Sequence, residues 1–108
     1  MIKAIIIDDE QHCIDRITDM LQRNYADTIR LLAPAVSVKE GIIAIKEHQP
    51  DLIFLDVQIQ DRTGFDLLRE CGKINFKIIF SNRKSKCIDV LYYRLGGNLH
   101  RRLFTTCA

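Results

Sequence analysis

Two short apolar runs that end in acid constrain this chain more than any other feature. The stretch Ile2 to Ile7 is apolar and β-branched apart from Lys3 and Ala4, and it runs into Asp8-Asp9-Glu10; Leu52-Ile53-Phe54-Leu55 runs straight into Asp56. Runs of this length without polar alternation are the pattern of strands buried on both faces, as in a parallel sheet covered by helices. Both strands then leave the sheet on carboxylates.

The segments between and after these runs alternate helix with strand. From Gln11 to about Tyr25, Ile14, Ile17 and Leu21 recur at helical spacing among Asp15, Arg16, Asp19 and Arg23, which predicts an amphipathic helix. A second strand is expected at Thr28 to Leu32, followed by a short connection through Ala33-Pro34-Ala35. Ser37-Val38-Lys39-Glu40 has capping-box spacing, so a helix starts there, buries Val38, Ile42 and Ile45, and stops at Gln49-Pro50. Gly64 to Cys71 reads as a short helix with Phe65 and Leu68 inward and Gly72 as its stop, and Lys77 to Phe80 as a fourth strand.

This β-α-β-α-β-α-β alternation predicts an α/β fold, a flavodoxin-like doubly wound parallel sheet in the order 2-1-3-4-5 with right-handed crossovers. In that order the first and third strands are neighbours, which brings Asp8, Asp9 and Asp56 to one crevice at the carboxyl ends of the strands. At ~5 Å and an effective dielectric of about 20, each ionised pair costs roughly 3 kcal/mol. A hard divalent cation offsets that cost, and a carboxylate-rich site with open positions suits magnesium, which keeps waters and bridges phosphate oxygens. Asp56 is then either a ligand or a nucleophile toward phosphorus. Taken singly, Asp8 or Asp9 reads first as a helix N-cap; the pair together with Asp56 on the adjacent strand points to a shared site.

Charge divides the chain. Residues 1–80 carry 10 Lys and Arg against 13 Asp and Glu, whereas residues 81–108 carry 6 against 1. The four cysteines, Cys13, Cys71, Cys87 and Cys107, have no CxxC spacing and no histidine in metal-ligand register, so reduced thiols are expected. Acidic residues follow Met1 too soon for a signal peptide, and no apolar run approaches the ~20 residues of a membrane span. A cytoplasmic protein without membrane contact is expected.

The Ile5-Ile6-Ile7-Asp8-Asp9-Glu10 stretch, the Pro50 to Asp56 stretch and the Thr63-Gly64-Phe65 turn together resemble the receiver domains of bacterial two-component response regulators. The wording of Ile2 to Glu10 and of Gln60 to Phe65 is most similar to regulators with a C-terminal LytTR DNA-binding domain, for which these 108 residues have no room. The resemblance implies that Asp56 is the phosphoacceptor, that Asp8 and Asp9 hold Mg2+ directly or through water, and that the backbone carbonyl of Gln58 completes the protein ligands. It implies a sensor histidine kinase, or a small phosphodonor, as the phosphoryl source, and a switch component more than an enzyme with turnover. A haloacid-dehalogenase-type phosphatase, the rival with a strand-end nucleophile, wants DxD where this chain has Asp8-Asp9-Glu10.

The resemblance thins from residue 81. A receiver of this kind follows its fourth strand with a hydroxyl residue and a small one, and its fifth with Lys-Pro; here Ser81-Asn82-Arg83 follows, and the only prolines are Pro34 and Pro50. Ser81 is the candidate hydroxyl. Residues 1–80 are thus expected to form an incomplete receiver domain, and 81–108 a divergent basic tail, truncated or frameshifted, with the fifth strand and closing helix incomplete. Ile88 to Tyr93 is the fifth-strand candidate. The alternative function is a degenerate receiver that only binds protein, or an inactive fragment whose fourth strand is an unpaired edge inviting self-association. Binding of nucleic-acid phosphates by the basic tail is a lesser alternative.

Overall fold

The computed structural model describes residues 1–82, 87–95 and 98–103, with side chains described through residue 80. Strand β1 (Ile2–Ile7) leads to helix α1 (Gln11–Asn24), then β2 (Ile29–Leu31), α2 (Val38–His48) and β3 (Leu52–Asp56). A small hairpin of β4 (Gln58–Ile59) and β5 (Arg62–Thr63) precedes α3 (Gly64–Cys71), and β6 (Lys77–Asn82), β7 (Cys87–Leu95) and β8 (Asn98–Leu103) follow.

Among the described residues the main sheet has the order β2-β1-β3-β6-β7-β8. Its first four strands are parallel, with Ile7 beside Leu55 and Asp56 beside Ser81. The expected order of the first four strands therefore holds. The strand beyond them differs: β7 pairs antiparallel with β6, and β8 antiparallel with β7. A parallel fifth strand needs a crossover of a dozen residues or more, whereas antiparallel neighbours need only a short turn. Four residues separate Asn82 from Cys87, so the chain takes the hairpin. Strand β6 is consequently paired on both sides, and the expectation of an unpaired fourth-strand edge is corrected.

Each face of the sheet has its own core. Ile5, Ile7, Ile53, Leu55, Ile78 and Phe80 face α2 and α3, packing with Val38, Ile45 and Leu67. Ala4, Ile6, Phe54 and Ile79 face α1 and meet Ile14, Ile17 and Leu21. Alternate residues of one strand thus enter opposite cores, which is why β1 and β3 tolerate so little polarity.

The stripe of α1 falls as its spacing predicts, with Ile14, Ile17 and Leu21 buried; on α2 Val38 and Ile45 are buried, whereas the third expected residue, Ile42, is only partly buried and Gly41 takes the inward position. Ser37 Oγ accepts from the Glu40 amide at 3.1 Å, and α2 ends on Gln49 in a left-handed conformation. Helix α3 departs from expectation: Leu67 is the fully buried residue, Leu68 is partly buried, and Phe65 is 52% exposed, its ring 5.1 Å from that of Phe80. The reason lies at the start of the helix. Thr63 caps α3 through a reciprocal box with Asp66, and Gly64 sits close against Leu55 and the Asp56 backbone, which sets the first turn so that Leu67 enters the core.

Candidate functional site

Asp8 and Asp56 leave neighbouring parallel strands one position beyond the Ile7 and Leu55 pair, so their Cα atoms follow side by side. Both are almost completely buried, at 1% and 2% exposure, while Asp9 is half-buried at the rim. One carboxylate oxygen from each of the three lies within 4.8 Å of the others. The predicted convergence of Asp8, Asp9 and Asp56 is therefore present.

Local hydrogen bonds orient these groups. Asp8 Oδ1 accepts from the Glu10 amide at 2.9 Å, and the Asp8 amide donates to the Ala35 carbonyl at 2.9 Å, tying the end of β1 to the loop before α2. Glu10 itself sits at the N-cap of α1 and makes no side-chain cap, so neither Asp8 nor Asp9 is the capping residue. Asp56 Oδ1 accepts from the Gln58 amide at 3.3 Å, and Asp9 Oδ2 from the Gln60 amide at 2.9 Å.

Burial above all, and then the charge of Asp8, push the Asp56 carboxyl up to about 7; the amides of Gln58 and Val57 pull the other way. Cys13, in the first turn of α1, feels the same field: burial, then Asp8, Glu10 and Asp56, push its thiol up to about 11. The crevice is thus strongly acidic, and an all-oxygen donor set of this kind fits a hard divalent cation.

The loop after β3 is built on close approach. The Gly64 amide donates to the Val57 carbonyl at 2.9 Å. A Cβ on Gly64 would stand 2.6 Å from the Asp56 carbonyl oxygen and 2.9 Å from Leu55 Cγ, so glycine is required there. Gln58 lies in β4, its amide on Asp56 and its side-chain amide on the Gln60 carbonyl at 2.9 Å. Ser81 is brought into β6 in register with Asp56, inside the strand and not after it as the sequence suggested. Its side chain lies outside the described residues, as do Lys84 and Lys86.

Two participants escaped the sequence reading. The Thr63-x-x-Asp66 spacing was a legible cap signal. The Gln60 amide carried no signal, because a backbone group acting 51 residues away leaves no mark in composition or spacing.

Comparison with known proteins agrees with this architecture. Residues 4–93 match the response regulator receiver domain. The sensory transduction protein LytT of Bacillus anthracis is 28% identical over 67 residues, 62% of this chain and 26% of that protein. An uncharacterized response regulatory protein of Vibrio vulnificus is 35% identical over 68 residues, 63% of this chain and 27% of that one. The sensory transduction protein LytR of Staphylococcus epidermidis is 31% identical over 86 residues, 78% and 33% of the two chains. The chain spans about a quarter to a third of the length of these relatives. Among solved structures, the response regulator domain of Thermotoga maritima CheB superposes with a TM-score of 0.65 at 18% identity, covering 74% of this chain and 59% of that one. With two independent likenesses, of sequence pattern and of fold, added to a carboxylate pocket at the ends of β1 and β3, the chain belongs to the response regulator receiver domain family.

Proposed function

We propose that the chain is a phosphoacceptor in a two-component relay, taking a phosphoryl group on Asp56 from the phosphohistidine of a sensor kinase or from a small acyl phosphate. The observation that carries this reading is the convergence of the three carboxylate oxygens of Asp8, Asp9 and Asp56 within 4.8 Å. In the reaction an Asp56 carboxylate oxygen attacks phosphorus, the O–P bond forms, and the P–N or P–O bond to the donor breaks with its electron pair leaving on the donor. The residues assigned to hold Mg2+ are Asp8, Asp9, Asp56 and the backbone carbonyl of Gln58; the ion supplies neutralisation of charge on the transferring group. Asp56 must be ionised to attack, and the Gln58 amide on Oδ1 both favours that form and orients the carboxylate. Ser81, whose backbone is in register with Asp56, is the residue proposed to supply a hydroxyl to the site. On this reading residues 1–80 form an incomplete receiver domain and 81–108 a divergent basic tail, truncated or frameshifted. The LytT and LytR relatives are named sensory transduction proteins, which supports a signalling role.

A second reading has two observations in its favour. Strand β7 is antiparallel to β6, and the chain has no Lys-Pro pair, so the cationic partner of a phosphoryl group is unassigned. On this reading the chain binds a partner without being phosphorylated. Intact mass after incubation with acetyl phosphate and Mg2+ separates the two. Gain of one phosphoryl group that is lost in Asp56→Asn and with chelator is expected; an unchanged mass in folded protein leaves the binding reading.

A further inference from the structure

We propose that the backbone N–H of Gln60 is a positioning group for the metal site, holding the Asp9 carboxylate from across the pocket. The inference rests on the metal-site reading above and adds to it a residue that touches neither cation nor phosphorus. Asp9 is the outermost of the three acids and is repelled by the other two, which tends to swing an unrestrained side chain toward water. Its Oδ2 instead accepts from the Gln60 amide at 2.9 Å. A hydrogen bond to an ionised acceptor is about twice as strong as a neutral one, and this amide takes one of the roughly four acceptor positions of the carboxylate.

The Gln60 peptide is held in this direction by more than Asp9. Gln60 has φ of 56°, a left-handed conformation that costs an ordinary side chain ~1 kcal/mol or more. The turn that imposes it is closed by β4 and β5, paired Gln58 with Thr63 and Ile59 with Arg62, and Ile59 is 1% exposed, anchoring the hairpin in the core. The Gln58 side-chain amide binds the Gln60 carbonyl at 2.9 Å from the other side. A strained residue clamped on both flanks, with its N–H aimed at one acid of a three-acid pocket, is a preorganising arrangement: ligand geometry is fixed before the ion arrives. The side chain of Gln60 is dispensable in this role, whereas the N–H is not.

The test measures Mn2+ affinity by the paramagnetic resonance of free Mn2+, for the full chain and for Gln60→Gly, Gln60→Pro and Asp8→Asn. Glycine keeps the N–H and accepts positive φ, and is expected within about twofold of the native affinity; proline has no N–H and is expected to lose about tenfold. Because proline also changes φ, amide hydrogen exchange of Gln60 is followed in the native chain with and without Mg2+, and protection in both states is expected. A proline variant that binds as the native chain does, a glycine variant that loses as much as proline, or a Gln60 amide released to exchange by Mg2+ overturns the proposal. If proline prevents folding, the exchange result decides. A native chain that binds no Mn2+, like Asp8→Asn, overturns the metal-site reading itself and this inference with it.

Discussion

Asp56 carries an internal conflict that pH exposes. Its carboxyl, ordinarily near 3.8, is pushed up to about 7 by burial and by Asp8. Between those values the folded protein keeps a proton that the unfolded chain has released, so stability is highest at the acid end of the window and falls as pH rises toward 7. Urea unfolding in chelator is expected to show this fall. Asp56→Asn, which has no charge to bury, is expected to flatten it and to be about 1 to 3 kcal/mol more stable than the native chain at pH 8. Gly64 presents the opposite case, a residue whose lack of a side chain matters. In Gly64→Ala the new methyl meets the Asp56 carbonyl oxygen at 2.6 Å, backbone that has no rotamer to escape into. A loss of about 2 to 4 kcal/mol by denaturant melt is expected, and, on the proposed function, phosphoryl uptake reduced at the same time because the displaced group is the backbone of Asp56.

Helices α1 and α2 were legible because each carries a full apolar stripe, and in α2 a serine at the right distance from a glutamate. Helix α3 was legible in extent but not in rotation. Phe65 and Leu68 looked like its inner face on hydrophobicity alone, yet the helix is oriented by its first turn, where Thr63 and Asp66 satisfy each other's backbone amides. Thr63→Ala is accordingly expected to cost about 1 kcal/mol in thermal or urea unfolding. A larger effect on phosphoryl uptake than on stability would show that the start of α3 also holds the β3 to α3 loop. Arg69, paired with Asp66, and Arg62, paired with Glu70, lie on or beside the same helix, and Arg69→Ala or Arg62→Ala is expected to change little.

Across the whole molecule, β1 and β3 serve two cores at once, and the acids at their ends sit where neither core extends. A cation bound there stabilises the native state alone. At tenfold its dissociation constant, Mg2+ is expected to add about 1.4 kcal/mol and raise the melting temperature by about 6 to 11 °C, an effect absent in Asp8→Asn. No helix among the described residues is long and apolar enough to cross a membrane. The second edge of the sheet is where sequence reasoning went astray. Strand β7 was legible in Ile88 to Tyr93, but its direction was not, because direction depends on the four residues between it and β6 and leaves no trace in the strand's own pattern.

By itself the sequence determined the alternation of elements, the doubly buried character of β1 and β3, and the convergence of Asp8, Asp9 and Asp56, since hydrophobic period and strand-end acids are local properties of the chain. Only the tertiary structure decided the antiparallel addition of β7, the inward turn of Leu67 in place of Phe65, and the hold of the Gln60 amide on Asp9. Each of these depends on contacts between segments that do not know of each other until the sheet has formed, and a side-chain pattern records which face is apolar but not which backbone group arrives opposite it.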